Sequence, residues 1–560
     1  MSGVATTIAA VALIAMLITI HEFGHFIVAK AFGVRVRVFS VGIGGRLVGF
    51  QWGDTDYRIS WFPFGGYVRM AGADPYMEGG ADEDEDTRDS GAFMSKPAWQ
   101  RLLIVLAGPA MNLVLPFVVF TALKVAGDPQ PRADVGTVYA DLPGAAAGVL
   151  PEDRITSVEG TATRTWPDVL DAFAASTDRT LDLVVDRQGA LVPIALPVED
   201  GAYGEVRDPY DFGILNSSPG PAVAVDDPAS PAGRAGLRAG DTVSAVAGVP
   251  VRTWNEVRRL ALAGAGAPLS LNVARTVEGV TQTETLTLRP DPTWVPVATE
   301  ADDAAWSTWG LASAMVTVGD FGQSESSAKI AGVLAGDRLL AVDDRPIRVW
   351  QDVVRAVQSA STGEGSEQTT REMRLTVRRD GVVQVIAVTP KVVRDTDDLG
   401  RYRWRPLLGI ASGGVTVAAP LVPRPYPVAE ALGRASDETV LIGNFMVEQI
   451  GKMITGEAPP QENLGGPVAI FRETRAAAER GIYDWVRQLG LFSLSLGIIN
   501  LLPIPVLDGG QLMMYLAEWI RGRPLPGVLR ERAQQAGIIF LVLLMLFVFA
   551  NDLRRWAEAA

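Results

Sequence analysis

The 560-residue chain has no cysteine and only two histidines, His21 and His25. The missing cysteine excludes a disulfide framework, a thiolate metal site and a thiol nucleophile. Any metal site must be built from the two imidazoles and from carboxylates. Positive charge is also scarce: 50 Lys and Arg stand against 64 Asp and Glu, a net charge of -14. So acidic a chain has no basic field for phosphates, and no nucleic-acid partner is expected. The N-terminus lacks the positive region of a secretory leader. Residues 1–7 hold no Lys or Arg, and the apolar run from Val4 continues to Phe32.

The length points to several domains, at roughly 100–200 residues each. Hydrophobic residues make up 48% of the chain and charged residues 20%, which fits soluble domains joined to a few membrane spans. Both histidines fall in His21-Glu22-Phe23-Gly24-His25, inside the first apolar run. A helix turns by about 100° per residue, so positions four apart lie about 40° from each other on one face. His21 and His25 can then grip one metal ion, with Glu22 beside them to act on a water. Two imidazoles and a carboxyl group in lipid are costly and call for partners or a function.

Taken in order, residues 1–33 are expected to form a first transmembrane helix. Residues 34–74 alternate like strands, with glycines at 42, 44 and 45, and suggest a β element tucked against the membrane. Its open edge could pair with an extended peptide. An acidic, solvated loop is expected over 75–99, with its charge concentrated at Asp82–Asp89. A second span is expected over 100–126. It contains Ala107-Gly108-Pro109 and Asn112, and Asn112 should face protein, either packing a helix contact or serving the site by binding substrate.

A soluble stretch then repeats internally. Gly148 and Asp153, Gly236 and Asp241, and Gly332 and Asp337 are each five apart. Trp166, Trp254 and Trp350 follow each Asp by thirteen, and each opens a short helical segment. These repeats, over 132–200, 208–292 and 304–392, resemble PDZ domains of the bacterial protease type, through the run Ser230-Pro-Ala-Gly-Arg-Ala-Gly236-Leu-Arg-Ala-Gly-Asp241. The resemblance implies binding of peptide C-termini by strand addition. A matching apolar-Gly-apolar loop is read as Phe212-Gly213-Ile214-Leu215 for the second copy and Trp309-Gly310-Leu311 for the third, with none for the first.

An amphipathic helix on or beside the membrane is expected over 428–458 and a third span over 484–512. That span ends in Asn500-Leu-Leu-Pro503-Ile-Pro505-Val-Leu507-Asp508-Gly509-Gly510. Two prolines break the helix there. An Asp at membrane depth is a functional candidate, and a catalytic zinc site commonly has three protein ligands and an open position. Asp508 would complete His21 and His25. Arg521, Arg523, Arg530 and Arg532 then precede a fourth span over 533–552 and mark a cytoplasmic loop. Both termini and the repeats would lie on the opposite, extracytoplasmic side, with the metal motif toward the cytoplasm.

With the H-E-x-x-H motif, Phe64-Gly65-Gly66-Tyr67-Val68-Arg69-Met70, Ala107-Gly108-Pro109 with Asn112, and Asn500 to Gly510 in this order, the chain resembles the site-2 protease family, in its bacterial PDZ-containing branch. The resemblance implies a multi-domain membrane protein. Its core would be a four-span α-helical intramembrane metalloprotease with a membrane-associated β element, to which the repeats counted above add three PDZ-like α+β domains. The implied cofactor is Zn2+ and the implied location the cell inner membrane. Single-span membrane proteins, such as trimmed anti-sigma factors or signal-peptide remnants, would be the substrates. Glu22 would act as general base. Asn500 is a donor to substrate or only a packing residue of the broken helix. Familiar members of this branch carry two PDZ domains, and three copies are counted here. A PDZ-bearing membrane scaffold or chaperone with a structural zinc is the alternative. An ion transporter is disfavoured by the few polar residues outside the one site.

Overall fold

The computed structural model describes residues 3–559 except 74–88, 140–141, 199–206, 226, 265, 278–279, 294–308, 322–325, 348–349, 364–367, 397–401 and 457–464. The acidic tract therefore lies outside the described residues, apart from Asp89. The chain divides into two compact units, Met1–Asp128 with Pro425–Ala560, and Pro129–Arg424.

The first unit is helical, with one β element. Its helices are Gly3–Ala31, Ala98–Gly127, Val428–Thr455, Pro467–Arg480, Ile482–Asn500, Asp508–Arg521 and Gly527–Ala559. Three of these are long and apolar enough to cross a membrane: Val4–Ala31, Ala98–Gly127 and Gly527–Arg554. The expected third span is a helix, Ile482–Asn500, but it is not among them. It carries Asp484, Arg487 and Gln488 in its first two turns. Leu489, Gly490, Ser493, Leu494 and Gly497 are buried, so protein covers one face and less of the helix needs to be apolar.

Three further differences from the expected elements follow from local chemistry. The Pro503 and Pro505 break is followed by a new helix, Asp508–Arg521, that begins on Asp508 itself. Arg521 closes that helix. Arg530 and Arg532 stand in the first turns of the last helix rather than in a loop. The polar helix Pro467–Arg480 was not anticipated, because only small residues (Ala477, Ala478, Thr474) are buried and no apolar stripe marks it. Its N-terminal amides at Gly466, Val468 and Ala469 are capped by the carboxylate of Asp552.

The β element consists of Val36–Trp52 and Thr55–Met70, each bent so that it pairs twice. Residues 38–41 pair with 56–59 on one side and with 66–69 on the other. The sheet order is therefore 46–52, 55–60, 36–41, 66–70, with 66–70 as an edge. Phe50, Trp52, Trp61 and Phe62 are all exposed on it.

The second unit contains three four-stranded antiparallel sheets of one topology. In the first, the order is Thr161–Ala162, Arg154–Val158, Thr180–Arg187, Ala190–Pro197. The second and third repeat it around Thr242–Val246 and Arg338–Val342, and each has a bulge at the same place in that strand. The Gly–Asp spacing of the sequence has a common cause. Gly148, Gly236 and Gly332 all adopt positive φ at the end of a short helix. The buried Asp153, Asp241 and Asp337 each take a bidentate contact from Arg187, Arg275 and Arg379. The same guanidinium also donates to the carbonyl of the repeat's glycine.

Each sheet, together with its Trp-initiated helix, encloses its own core. These cores correct the assignment of the apolar-Gly-apolar segments. Phe212 and Ile214 belong to the core of the first repeat, and Trp309 and Leu311 to that of the second. In the third, Leu408-Gly409-Ile410 takes the place, with Leu408 in the core. Each segment follows its sheet in sequence and folds back onto it, so it was read one copy too late. The repeats therefore close beyond residues 200, 292 and 392.

Candidate metal centre

His21, Glu22 and His25 lie in the last third of the helix Gly3–Ala31 and are buried. The helix Ala98–Gly127 crosses close beside them because glycines remove the intervening side chains. A methyl on Gly24 would stand 2.2 Å from the Ala107 carbonyl oxygen. A methyl on Gly108 would stand 2.2 Å from His25 Nε2 and 2.9 Å from His21 Cε1. Asp508 arrives from the other end of the chain as the first residue of its helix.

The three donor groups converge. His21 Nε2 is 3.2 Å from His25 Nε2, and Asp508 Oδ2 is 3.0 Å from the first and 3.6 Å from the second. A tetrahedral ion with bonds of about 2.0–2.1 Å spaces its ligand atoms by about 3.3–3.4 Å. The observed spacings bracket that value, so two nitrogens and one oxygen fit a single small divalent cation. Among the described residues this is the one cluster of three such groups.

The outer nitrogens are also held. His25 Nδ1 is 2.9 Å from the Ile104 carbonyl and donates to it. The Asn112 carboxamide lies 3.0 Å from His21 Nδ1. An imidazole that binds metal through Nε2 keeps its proton on Nδ1, and an amide oxygen is the matching acceptor. Asn112 is wholly buried, and its main-chain carbonyl accepts a 2.9 Å bond from Ser493 Oγ. It stands behind an imidazole, so the expectation that it touches substrate is corrected. Asn500 is half-buried at the end of its helix.

Glu22 meets the β element. The Val68 backbone bonds to its carboxyl group, and a methyl on Gly66 would come within 3.4 Å of its Cγ. The edge strand 66–70 therefore runs beside the carboxylate. The Ile104 carbonyl and Ser493 gave no sequence signal. The Ala107-Gly108-Pro109 run did, because Gly and Pro inside an apolar helix mark close packing.

Two histidines on an H-E-x-x-H helix, joined by an aspartate from a second helix and set among helices able to cross a bilayer, define a membrane metallopeptidase. The chain belongs to peptidase family M50, whose model matches residues 9–544, and the resemblance to site-2 proteases is borne out. The chain is 28% identical over 555 residues to a putative zinc metalloprotease of Neisseria meningitidis, covering 98% of this chain and 99% of that one. It is 27% identical over 553 residues to the regulator of sigma-E protease RseP of Escherichia coli K12, covering 96% of each. A putative zinc metalloprotease of Ralstonia nicotianae is 28% identical over 564 residues, with 98% of each covered.

Proposed function

We propose that this chain is an intramembrane zinc endopeptidase that cleaves single-span membrane proteins, including anti-sigma factors already trimmed by another protease and signal-peptide remnants. The observation that carries the reading is the convergence of His21, His25 and Asp508 at the spacing of a tetrahedral ion. These three would hold zinc, which when bound would supply an activated water near neutral pH and polarise the scissile carbonyl. Glu22 accepts the proton of the attacking water and returns it to the leaving amine. Asn112 and the Ile104 carbonyl fix the two imidazoles. Asn500, at the end of its helix before the Pro503 break, donates to the substrate backbone.

A substrate helix hides its peptide groups in its own hydrogen bonds and must unwind before cleavage. The edge strand 66–70 receives the unwound segment as an added strand and lays it beside Glu22. The exposed Phe50, Trp52, Trp61 and Phe62 seat this β element in the membrane interface. Ile482–Asn500 serves as a fourth span, shielded from lipid on its buried face. The three repeats are PDZ-like domains on the extracytoplasmic side that gate substrates, and the metal centre lies toward the cytoplasm.

The test is Glu22→Gln in membranes, with zinc content and cleavage of a model single-span substrate measured together. Zinc should stay bound while cleavage is lost. Retained cleavage would remove Glu22 from the mechanism.

A further inference from the structure

Each repeat ends its sheet on an edge strand: Ala190–Pro197, Val280–Leu288 and Val382–Val388. The arginine that grips the buried Asp aligns the three, because Arg187 pairs with Ala190, Arg275 with Gln282 and Arg379 with Val382. Ile194, Leu286 and Ile386 then share one position, and Leu196, Leu288 and Val388 another, and all six turn to their cores. The two-residue turns Gln188-Gly189 and Asp380-Gly381 have positive φ at both positions, 53° and 90° in the first and 50° and 81° in the third. Such a turn is closed by a hydrogen-bonded pair, and the pairs alternate from there. In the third repeat Val383, Val385 and Ala387 therefore aim their N–H and C=O groups out from the edge. Leu191, Pro193 and Ala195 hold these places in the first repeat, and Thr283, Thr285 and Thr287 in the second.

An open edge is a template for another strand, and proteins blunt it. The first repeat puts Pro193 at the middle place, with no N–H to give. The second puts threonines there and Glu284 beside them, 3.5 Å from Arg275. The third has neither proline nor charge and reads Val-Val-Gln-Val-Ile-Ala-Val. Val382 and Val385 are 58% and 63% exposed. Val385 points away from the core, so packing within the repeat does not account for it.

We propose that Val382–Val388 is a self-association surface, at which two copies of this chain join edge to edge. The strands run antiparallel about a two-fold axis at Val385, and the two sheets become continuous. Val385 faces its own copy and exchanges both backbone hydrogen bonds with it. Val383 faces Ala387, and Val382 faces Val388. These pairs are small and apolar, and no like charges meet along the strand. The ends carry opposite charges, Asp380 in the turn and Lys391 just past the strand, and antiparallel copies bring one beside the other. An extended segment of another protein would meet the same bare edge, and the test separates the two.

The absence of cysteine makes that test direct. Val385→Cys introduces one thiol, and a hydrogen-bonded antiparallel pair sets its Cα about 5.5 Å from that of its copy, within the disulfide range. The full chain in membranes is oxidised with diamide and run on a non-reducing gel. Val385→Cys should form a disulfide dimer. Thr285→Cys, at the same place in the second repeat, should stay monomeric and so gauges random collision. Co-expressed Val383→Cys and Ala387→Cys chains should crosslink to each other more than either does to itself. Adding Val385→Pro, which copies the first repeat, or Val385→Lys, which sets two like charges face to face, should abolish that crosslink. Thermal melts establish that these variants are folded. No dimer at 385, an equal dimer at 285, or a 383–387 crosslink that survives in the folded Val385→Pro and Val385→Lys chains would each overturn the assignment. Crosslinking of Val385→Cys to a different protein in place of itself would give the edge to that protein and overturn self-association.

Discussion

Gly108 leaves His25 no clearance for a side chain: a single methyl there would stand 2.2 Å from Nε2. Nε2 is the atom that faces Asp508 and His21, so the glycine shapes the space in which a metal would sit. Gly108→Ala should displace the imidazole or push the two helices apart. Zinc content by mass spectrometry should fall below that of the parent chain, and cleavage should fall with it. A Gly108→Ala chain with full zinc and full activity would mean that the helix crossing gives way freely at this point.

Asn112 gives a second, separable prediction. Its carboxamide lies 3.0 Å from His21 Nδ1, and burial leaves no water to replace it. Partners of this kind are commonly worth about 10–100-fold in metal affinity. Asn112→Leu should weaken zinc by that order in a chelator competition. Asn112→Asp restores an acceptor and should recover much of the loss. If both variants bound zinc like the parent, Asn112 would be only a packing residue.

The helix that begins at Asp508 is tied down ten residues later. Glu518, buried, bridges Arg101 at 3.0 Å and Arg530, and accepts from the Leu525 amide at 3.0 Å. Arg101 also stacks over Tyr515, 4.8 Å from its ring centre. Removing one member of a buried ion set strands the others and typically costs about 3–5 kcal/mol. Glu518→Ala should therefore lower the unfolding midpoint and weaken zinc binding, because the Asp508 helix loses its anchor. Glu518→Leu, which fills the same space without charge, should be no better, since two guanidinium groups remain. A wild-type melt in Glu518→Ala would rule the anchor out.

The three converging groups were readable from the sequence because so few residues could serve as donors. With no cysteine and two histidines, the missing third ligand had to be a carboxylate. Asp508 sat among prolines and glycines at the end of an apolar run, where a charge needs a reason. The repeats were readable because a left-handed glycine, a buried Asp and a helix-opening Trp recur at fixed spacing. What could not be read was which neighbour a returning segment packs against. Phe212 and Trp309 close the repeat before them, and adjacency in sequence pointed to the next one. For Asn112 the sequence left helix packing and substrate binding both open, because its partner His21 lies 91 positions away and only packing reveals it. The helix Pro467–Arg480 was invisible because it buries alanines and leaves its larger apolar residues, Val468 and Ile470, exposed.

Asp508 itself supports the sharpest test of the metal centre. Its Oδ2 supplies one of three converging donors, and the two imidazoles alone leave an ion half-coordinated. Asp508→Ala should bring zinc well below about one per chain, the stoichiometry of a single catalytic site. Asp508→Asn keeps the shape and one oxygen donor but removes the negative charge that offsets a dication. It should hold zinc more weakly than the parent and more tightly than Asp508→Ala. Glu22→Gln, one residue from His21 but outside the converging trio, should keep zinc throughout. The order parent, Glu22→Gln, Asp508→Asn, Asp508→Ala in chelator resistance is what a His21–His25–Asp508 site requires. If Glu22→Gln lost zinc as readily as Asp508→Ala, the carboxylate of Glu22 would be a ligand, and the assignment of base and ligand would have to be exchanged.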